Sequence, residues 1–371
     1  MQEQDKRLLG RRAFIASVAA TSAAAAFGLA ESAQAGSSAP AVGAELDQHA
    51  HDWDWLAGNW DVWHRRLKDR LVGSKEWEEF TGKSALWTTL GGLGTLDDNI
   101  MDLPGGRYYG ITIRAFDPAK RQWSIWWLDG RNPSAMESPV KGSFEGDTGT
   151  FFGKDTYKGR PITVRFLWQD IHGSRPWWEQ AFSTDNGATW EVNWRNYFTR
   201  TRAQAELLPI PQGAGFDERR HDWDFLVGSW KLQNRRLRRV AGRMQWEEFP
   251  STFVNRRVLG GLGNVGDNEY DAPNGRYRGM SVRTFDTQTQ QWLTWWLDGR
   301  YPATFNPPVR GSFTNGALSS IGDDVLDGKP IKVRTQWSQI TRNSCHWEQA
   351  LSHDGGASWE TNWISEFVRT A

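Results

Sequence analysis

The chain states nearly the same message twice. Residues 51–200 and 221–369 align at an almost constant offset, so that Trp127 matches Trp296 and Trp178 matches Trp347. Each copy, at roughly 150 residues, is long enough to bury a core of its own. The period is too long, and two copies are too few, for a stacked solenoid, so a whole domain has been duplicated. The segment Thr201 to Glu218, with Pro209, Pro211, Gly213 and Gly215, reads as the joint between the copies. Residues common to both copies meet a demand that both share.

Within each copy the pattern is that of strands. Side chains from Arg107 to Phe116 alternate across two faces and stop at the turn signal Asp117-Pro118. A second run, Gln122 to Asp129, follows and ends at Gly130, which predicts a hairpin. Further short runs lie at 139–144, 162–168, 178–182 and 190–198. With almost no helical periodicity, the fold class is all-β, an antiparallel barrel or sandwich. Strands this close in sequence favour up-and-down connections.

The first 35 residues serve another purpose. Arg11-Arg12-Ala13-Phe14-Ile15 is followed by an uncharged, alanine-rich stretch, and Ala33-Gln34-Ala35 supplies a small-x-small cleavage pattern. This segment resembles a bacterial twin-arginine (Tat) signal peptide, which implies passage through the Tat export machinery to the periplasm, or secretion. No later stretch is apolar enough to span a membrane. Taking four basic and three acidic residues from the 44 of each leaves 40 against 41. Such a balance argues against a nucleic-acid partner. Cys345 is the single cysteine, so no disulfide staples either copy. The expected layout is 1–35 signal, 36–48 linker, 49–200 first barrel, 201–218 linker and 219–371 second barrel.

Each copy opens alike, with His51-Asp-Trp-Asp-Trp-Leu-Ala-Gly58-Asn-Trp60 answering to His221-Asp-Trp-Asp-Phe-Leu-Val-Gly228-Ser-Trp230. Each closes on Phe198 and Arg200, or Phe367 and Arg369. Here the chain resembles the calycins, the lipocalin-like superfamily. In them the first strand carries Gly-x-Trp and an arginine of the last strand packs over that tryptophan. The resemblance implies two tandem antiparallel lipocalin-like β-barrels. More narrowly the chain is similar to an uncharacterised bacterial family of such barrels and, more distantly, to the nitrobindins.

The longest identical run is Trp126 to Arg131, repeated as Trp295 to Arg300. Trp127, Asp129 and Arg131, like Trp296, Asp298 and Arg300, are spaced by two and share one strand face. If that face turns inward, an aromatic wall, a carboxylate and a guanidinium meet near the barrel mouth; alternatively Asp129 caps the turn at Gly130 and pairs with Arg131. Other shared polar residues are Glu78 and Glu247, Arg114 and Arg283, Arg165 and Arg334, Glu179 and Glu348, and Asn193 and Asn362. Charges inside a barrel are costly unless paired, so together they point to a polar, tryptophan-lined cavity. Two functions are open. One is a binder of a small apolar or aromatic molecule. The other is an enzyme of lyase, hydratase, isomerase or hydrolase type using Asp129, Glu179, Asp298 and Glu348 as acid or base.

Three further motifs are read as structural. Leu90-Gly-Gly-Leu-Gly94 lacks the lysine of a phosphate loop and suits a barrel-rim turn, with Asp98 and Asn99 lining the rim. Ser183 to Trp190 and Ser352 to Trp359 resemble the Asp-box turn of sialidase-like propellers, carried here without their activity. His51 and His221 are the one histidine pair common to both copies, too few for a zinc site. No cofactor is therefore expected. The nitrobindin likeness implies haem on a histidine near the C-terminal strands; His346 and His353 stand there in the second copy, against Trp177 and Thr184 in the first.

Overall fold

The computed structural model describes residues 48–213, 215–240 and 243–370. The export segment, and all of the 36–48 linker but its last residue, lie outside the described residues. The first repeat forms ten strands: β1 Gly58–Leu67, β2 Trp77–Thr89, β3 Gly94–Leu103, β4 Gly106–Asp117, β5 Gln122–Asp129, β6 Val140–Glu145, β7 Thr148–Tyr157, β8 Arg160–Gln169, β9 Trp177–Ser183 and β10 Glu191–Arg202. The second forms β11 Gly228–Val240, β12 Arg243–Val258, β13 Gly263–Ala272, β14 Gly275–Asp286, β15 Gln291–Asp298, β16 Val309–Thr314, β17 Ala317–Leu326, β18 Lys329–Ser338, β19 Ser344–Ser352 and β20 Glu360–Arg369.

Sequence neighbours pair antiparallel throughout, and β1 with β10 and β11 with β20 close each sheet on itself. Closure decides between barrel and sandwich, since each described strand has a neighbour on both sides. The expected hairpin is β4–β5, with Ile113 opposite Trp126. Its turn is held by Asp117, whose carboxylate accepts the amides of Ala119 and Lys120 at 3.1 and 3.2 Å.

The duplicated opening phrase plugs one end of each barrel. Short 3₁₀ turns, Asp54–Leu56 and Asp224–Leu226, precede the first strands. They drive Trp53 and Trp223 into the interior, almost fully buried. Asp52 and Asp222 hold the surrounding wall by accepting the indole N–H of Trp123 (3.1 Å) and Trp292 (2.8 Å). Arg200 lies 4.1 Å over the Trp60 ring and donates to the carbonyls of Trp55 and Ala57. Arg369 covers Trp230 at 4.2 Å and donates to Val227 O at 2.6 Å. This is the floor that the calycin likeness implies.

The barrels meet side by side, through the outer faces of β3–β5 and β13–β15. Leu96, Ile111, Ile113, Trp126 and Leu128 pack there against Val265, Met280, Val282, Trp295 and Leu297, all buried. The glycine-rich turns lock this contact reciprocally. Leu90 N donates to Asp267 at 3.0 Å and Leu259 N to Asp98 at 2.9 Å. Gly91 and Gly92 have φ of 63° and 95°, a left-handed path that favours glycine. A Cβ at Gly91 would also stand 2.2 Å from the Arg278 guanidinium of the other barrel. The rim expectation is thus corrected for Asp98: alternation turns its side chain out of the wall into the inter-barrel contact. Asn99, the next residue, faces the opposite way.

Candidate functional site

At the mouth of each barrel the duplicated Trp-x-Asp-x-Arg run sits as follows. Trp127 and Trp296 point inward and lie flat on the neighbouring strand. A Cβ at Gly110 or Gly279 would come within 2.3 Å of the respective indole, so both glycines are needed. Asp129 caps its turn, accepting the Arg131 amide at 2.9 Å, and binds the Arg131 guanidinium at 2.9 and 2.5 Å. Asp298 and Arg300 repeat this at 2.9, 3.0 and 2.7 Å. Each arginine stacks on an inward tyrosine, Tyr108 at 3.9 Å and Tyr277 at 4.2 Å. Burial pushes both phenols up to about 12, so they stay protonated. Cap, ion pair and inward position coexist in one motif.

Further charges complete the mouth. Glu78 receives the Arg66 guanidinium, and Arg66 also covers Phe80 and Trp194. In the second barrel Arg236 is buried, donates to Tyr277 Oη at 3.0 Å and lies 3.8 Å from Glu247, which also meets Arg238 at 3.5 Å.

Deeper inside, the two barrels diverge. In the first, Arg114 forms a buried ion pair with Asp97, donates to Thr95 Oγ1 at 3.2 Å and lies 4.2 Å from the Trp53 ring. Above it His64 fills the centre. Its Nδ1 stands 2.7 Å from Asn196 Oδ1 and 3.3 Å from Trp194 Nε1, and its ring stacks on Phe80 at 4.6 Å. Burial lowers this imidazole to about 4, so it is neutral at physiological pH. The centre of this barrel is a polar plug.

In the second barrel smaller side chains replace the plug. Asn234 takes the place of His64, Thr335 of Phe166, Thr294 of Ile125 and Ser365 of Asn196. Asn234 is fully engaged, receiving Trp363 Nε1 and Ser365 Oγ and donating to Phe249 O and Ser251 Oγ at 2.7–3.2 Å. A cavity of about 60 Å³ is left, walled by Tyr270, Trp296, Trp337, Trp347, Trp363 and Phe367, with Ser281, Arg283 and Thr335 among its polar groups. That volume holds roughly four to six waters. Arg283 stacks between Trp223 (4.7 Å) and Trp337 (5.2 Å). Its hydrogen bond among the described residues goes to Asn264 Oδ1 at 2.9 Å.

Several expected site residues stand elsewhere. Counting alternately from inward Trp178 and Trp347 puts Glu179 and Glu348 on the outer wall. Glu179 binds Arg165 at 3.0 Å and Arg195 at 3.3 Å. Arg165 and Arg334 cover the Asp-box tryptophans Trp190 and Trp359 at 4.9 and 4.7 Å. Asn193 and Asn362 are buried beside the β-bulges of the last hairpins and accept from Gln180 (2.8 Å) and Gln349 (3.3 Å). The pairing candidates Asp129 with Glu179, and Asp298 with Glu348, are thus separated by the barrel wall. His346 also faces outward, its Nδ1 2.7 Å from Glu366, and His353 is exposed in the following turn. Neither offers a nitrogen to the cavity, so these residues do not fit an internal haem.

No family model matches the chain, and no curated protein does. Among solved structures it is similar to an S-type phycobiliprotein lyase from Guillardia theta, at 13% identity and TM-score 0.30, over 43% of this chain and 99% of that one. It is also similar to a DUF3598-family protein of unknown function from Nostoc punctiforme, at 11% identity and TM-score 0.27, over 88% and 100%. At such values neither lends weight to a function, which has to be read from the side chains themselves.

Proposed function

We propose that this is an exported binding protein whose second barrel holds a small molecule, with the first barrel as its rigid support. The observation that carries the reading is the aromatic-walled cavity of about 60 Å³ beside Arg283, at the level where the first barrel places the bulkier His64 against Asn196. An apolar body would lie against the indole faces, with Ser281 and Thr335 offering polar contacts. Binding is favoured over acid–base catalysis because Asp298 is engaged by Arg300 and Glu348 faces outward. Neither carboxylate lines the cavity. The Tat-like segment supports a periplasmic address.

Native mass spectrometry of protein exported by its own signal tests the reading. A bound small molecule, lost on Thr335→Phe (which restores the first barrel's side chain), is expected. A protein that emerges empty and shows no tryptophan quenching across a small-molecule screen would sink it. Turnover of a bound compound that vanished in Asp129→Asn with Asp298→Asn would favour the enzyme. Export is checked by fractionation, with Arg11→Lys and Arg12→Lys expected to trap the protein in the cytoplasm.

A further inference from the structure

Both barrels carry a fully buried arginine just above the floor tryptophan, yet they neutralise it differently. In the first barrel Asp97 on β3 supplies the counter-charge to Arg114. The matching position on β13 is Gly266, and no carboxylate among the described residues pairs with Arg283. The loss is built in rather than incidental. A Cβ at Gly266 would stand 2.2 Å from the Phe253 ring and 2.7 Å from Ser281 Oγ, so Phe253 occupies the space that Asp97 uses. Phe253 itself replaces Ser84. The exchange is concerted: Ser84 with Asp97 in one barrel, Phe253 with Gly266 in the other.

An isolated guanidinium away from water is expensive, and nothing short of an opposite charge offsets the cost well. Arg283 nevertheless lines the cavity rather than a solid core. Its Nε and the Ser281 Oγ are both buried without a hydrogen-bond partner. Burial also lowers Arg283 to about 9; Tyr270 and Cys345 act against that shift, but burial keeps both protonated at neutral pH, and neither is a carboxylate. A guanidinium still keeps its proton at neutral pH. The Ser281 hydroxyl and one positive charge with no carboxylate partner therefore line the same small cavity, whose volume suits an anion of a few heavy atoms.

Resting on the pocket reading above, we propose that the second barrel binds a small monocarboxylate whose negative charge takes the place that Asp97 has in the first barrel. The carboxylate would receive Arg283 and Ser281, and its short alkyl end would lie against Trp296 and Trp363. A planar carboxylate suits the arginine fork, and desolvation of both partners makes the pair specific for charge. The first barrel, already neutral, has no such demand.

The test uses the full mature chain, with acetate, its neutral isostere acetamide, and xenon as a charge-blind probe of the cavity. Calorimetry and tryptophan fluorescence should show acetate binding and acetamide binding at least about thirtyfold more weakly, the loss expected when one side of a buried charge pair goes missing. The double variant Phe253→Ser with Gly266→Asp transplants the first barrel's arrangement and should abolish acetate binding. If it does not fold, Arg283→Gln replaces it with the same expected loss. Equal binding of acetate and acetamide, or acetate binding unaffected by these variants, overturns the monocarboxylate. If xenon enters while acetate does not, the anion fails and the pocket stands; if neither enters, both fall.

Discussion

The two barrels share a frame and differ in what fills it. Floor tryptophan, closing arginine, mouth ion pair and Asp-box turn recur almost atom for atom. Asp185, for example, accepts Thr189 N at 2.9 Å, and Asp354 accepts Ser358 N at 2.9 Å. What changes is the middle, where His64, Phe166 and Asp97 give way to Asn234, Thr335 and Gly266. Duplication retained what makes a barrel and freed one copy to open a cavity. Residues that agree between the copies build the common frame, Arg283 and Trp296 included; those that disagree set what space that frame encloses.

The sharpest way to break that contrast is to remove Asp97. In Asp97→Ala, Arg114 is left buried and charged without its carboxylate partner. The loss should be about 3–5 kcal/mol, measured by denaturant unfolding. A loss under about 1 kcal/mol would mean that a lone buried arginine is cheap here, and Arg283 would then carry no message.

The contact between the barrels gives the next largest effect, and it depends on pH. Burial raises Asp98 to about 7 and Asp267 to about 6, each while accepting a backbone amide from the other barrel. The folded state then holds these protons more tightly than the unfolded one. Stability must fall as pH rises from the ordinary carboxylate range through those values. For Asp98 the loss is at most about 4 kcal/mol. Asp98→Asn should flatten the slope between pH 4 and 8 relative to wild type; an unchanged slope would place that carboxylate in water.

His64 acts in the opposite direction over an overlapping range. Its imidazole is depressed to about 4, so the unfolded chain binds the proton first as pH falls below the ordinary histidine value. Stability should drop between pH 6.5 and 4, by about 3 kcal/mol at most. His64→Asn, the residue of the second barrel, should remove that component. The imidazole's NMR titration gives an independent check: a midpoint near 6 would contradict a buried plug.

Much of the fold was legible, and the reasons are particular. Period-two alternation marked β4 and β5, and Gly-x-Trp with a distant arginine marked the floor. The direction of the faces was harder. In β4 the apolar set Ile111 and Ile113 looks like core, while Arg114 looks like surface. The reverse holds, because the outer face of β4 meets a second barrel and the inner face carries a neutralised arginine. No local signal distinguishes these cases. Selecting residues shared by both copies found Trp296, Arg283 and the mouth motif. It also drew in Glu179, Glu348, Arg165 and Arg334, which brace the outer wall. Ser281, Tyr270, Thr335 and Ser365 were missed because the first copy has Thr112, Met101, Phe166 and Asn196 there. The signal that would have found them is the loss of bulk at inward positions of one copy only.

The smallest effect concerns the one histidine that both copies keep. His51 and His221 lie 2.8 and 2.5 Å from Asp54 and Asp224, yet each pair is about half exposed to solvent. Exposed ion pairs contribute little, because water screens them and two side chains must be held in one geometry. The neighbouring Asp52 and Asp222 instead hold the wall tryptophans Trp123 and Trp292, and the indole between them seals the floor. His51→Ala and His221→Ala should therefore each cost under about 1 kcal/mol, and equally in the two barrels. Asp52→Ala and Asp222→Ala should cost more, since each strands a largely buried indole N–H. A histidine effect larger than its aspartate neighbour's, or confined to the second barrel, would move that histidine from the common frame into the part of the molecule where the copies have diverged.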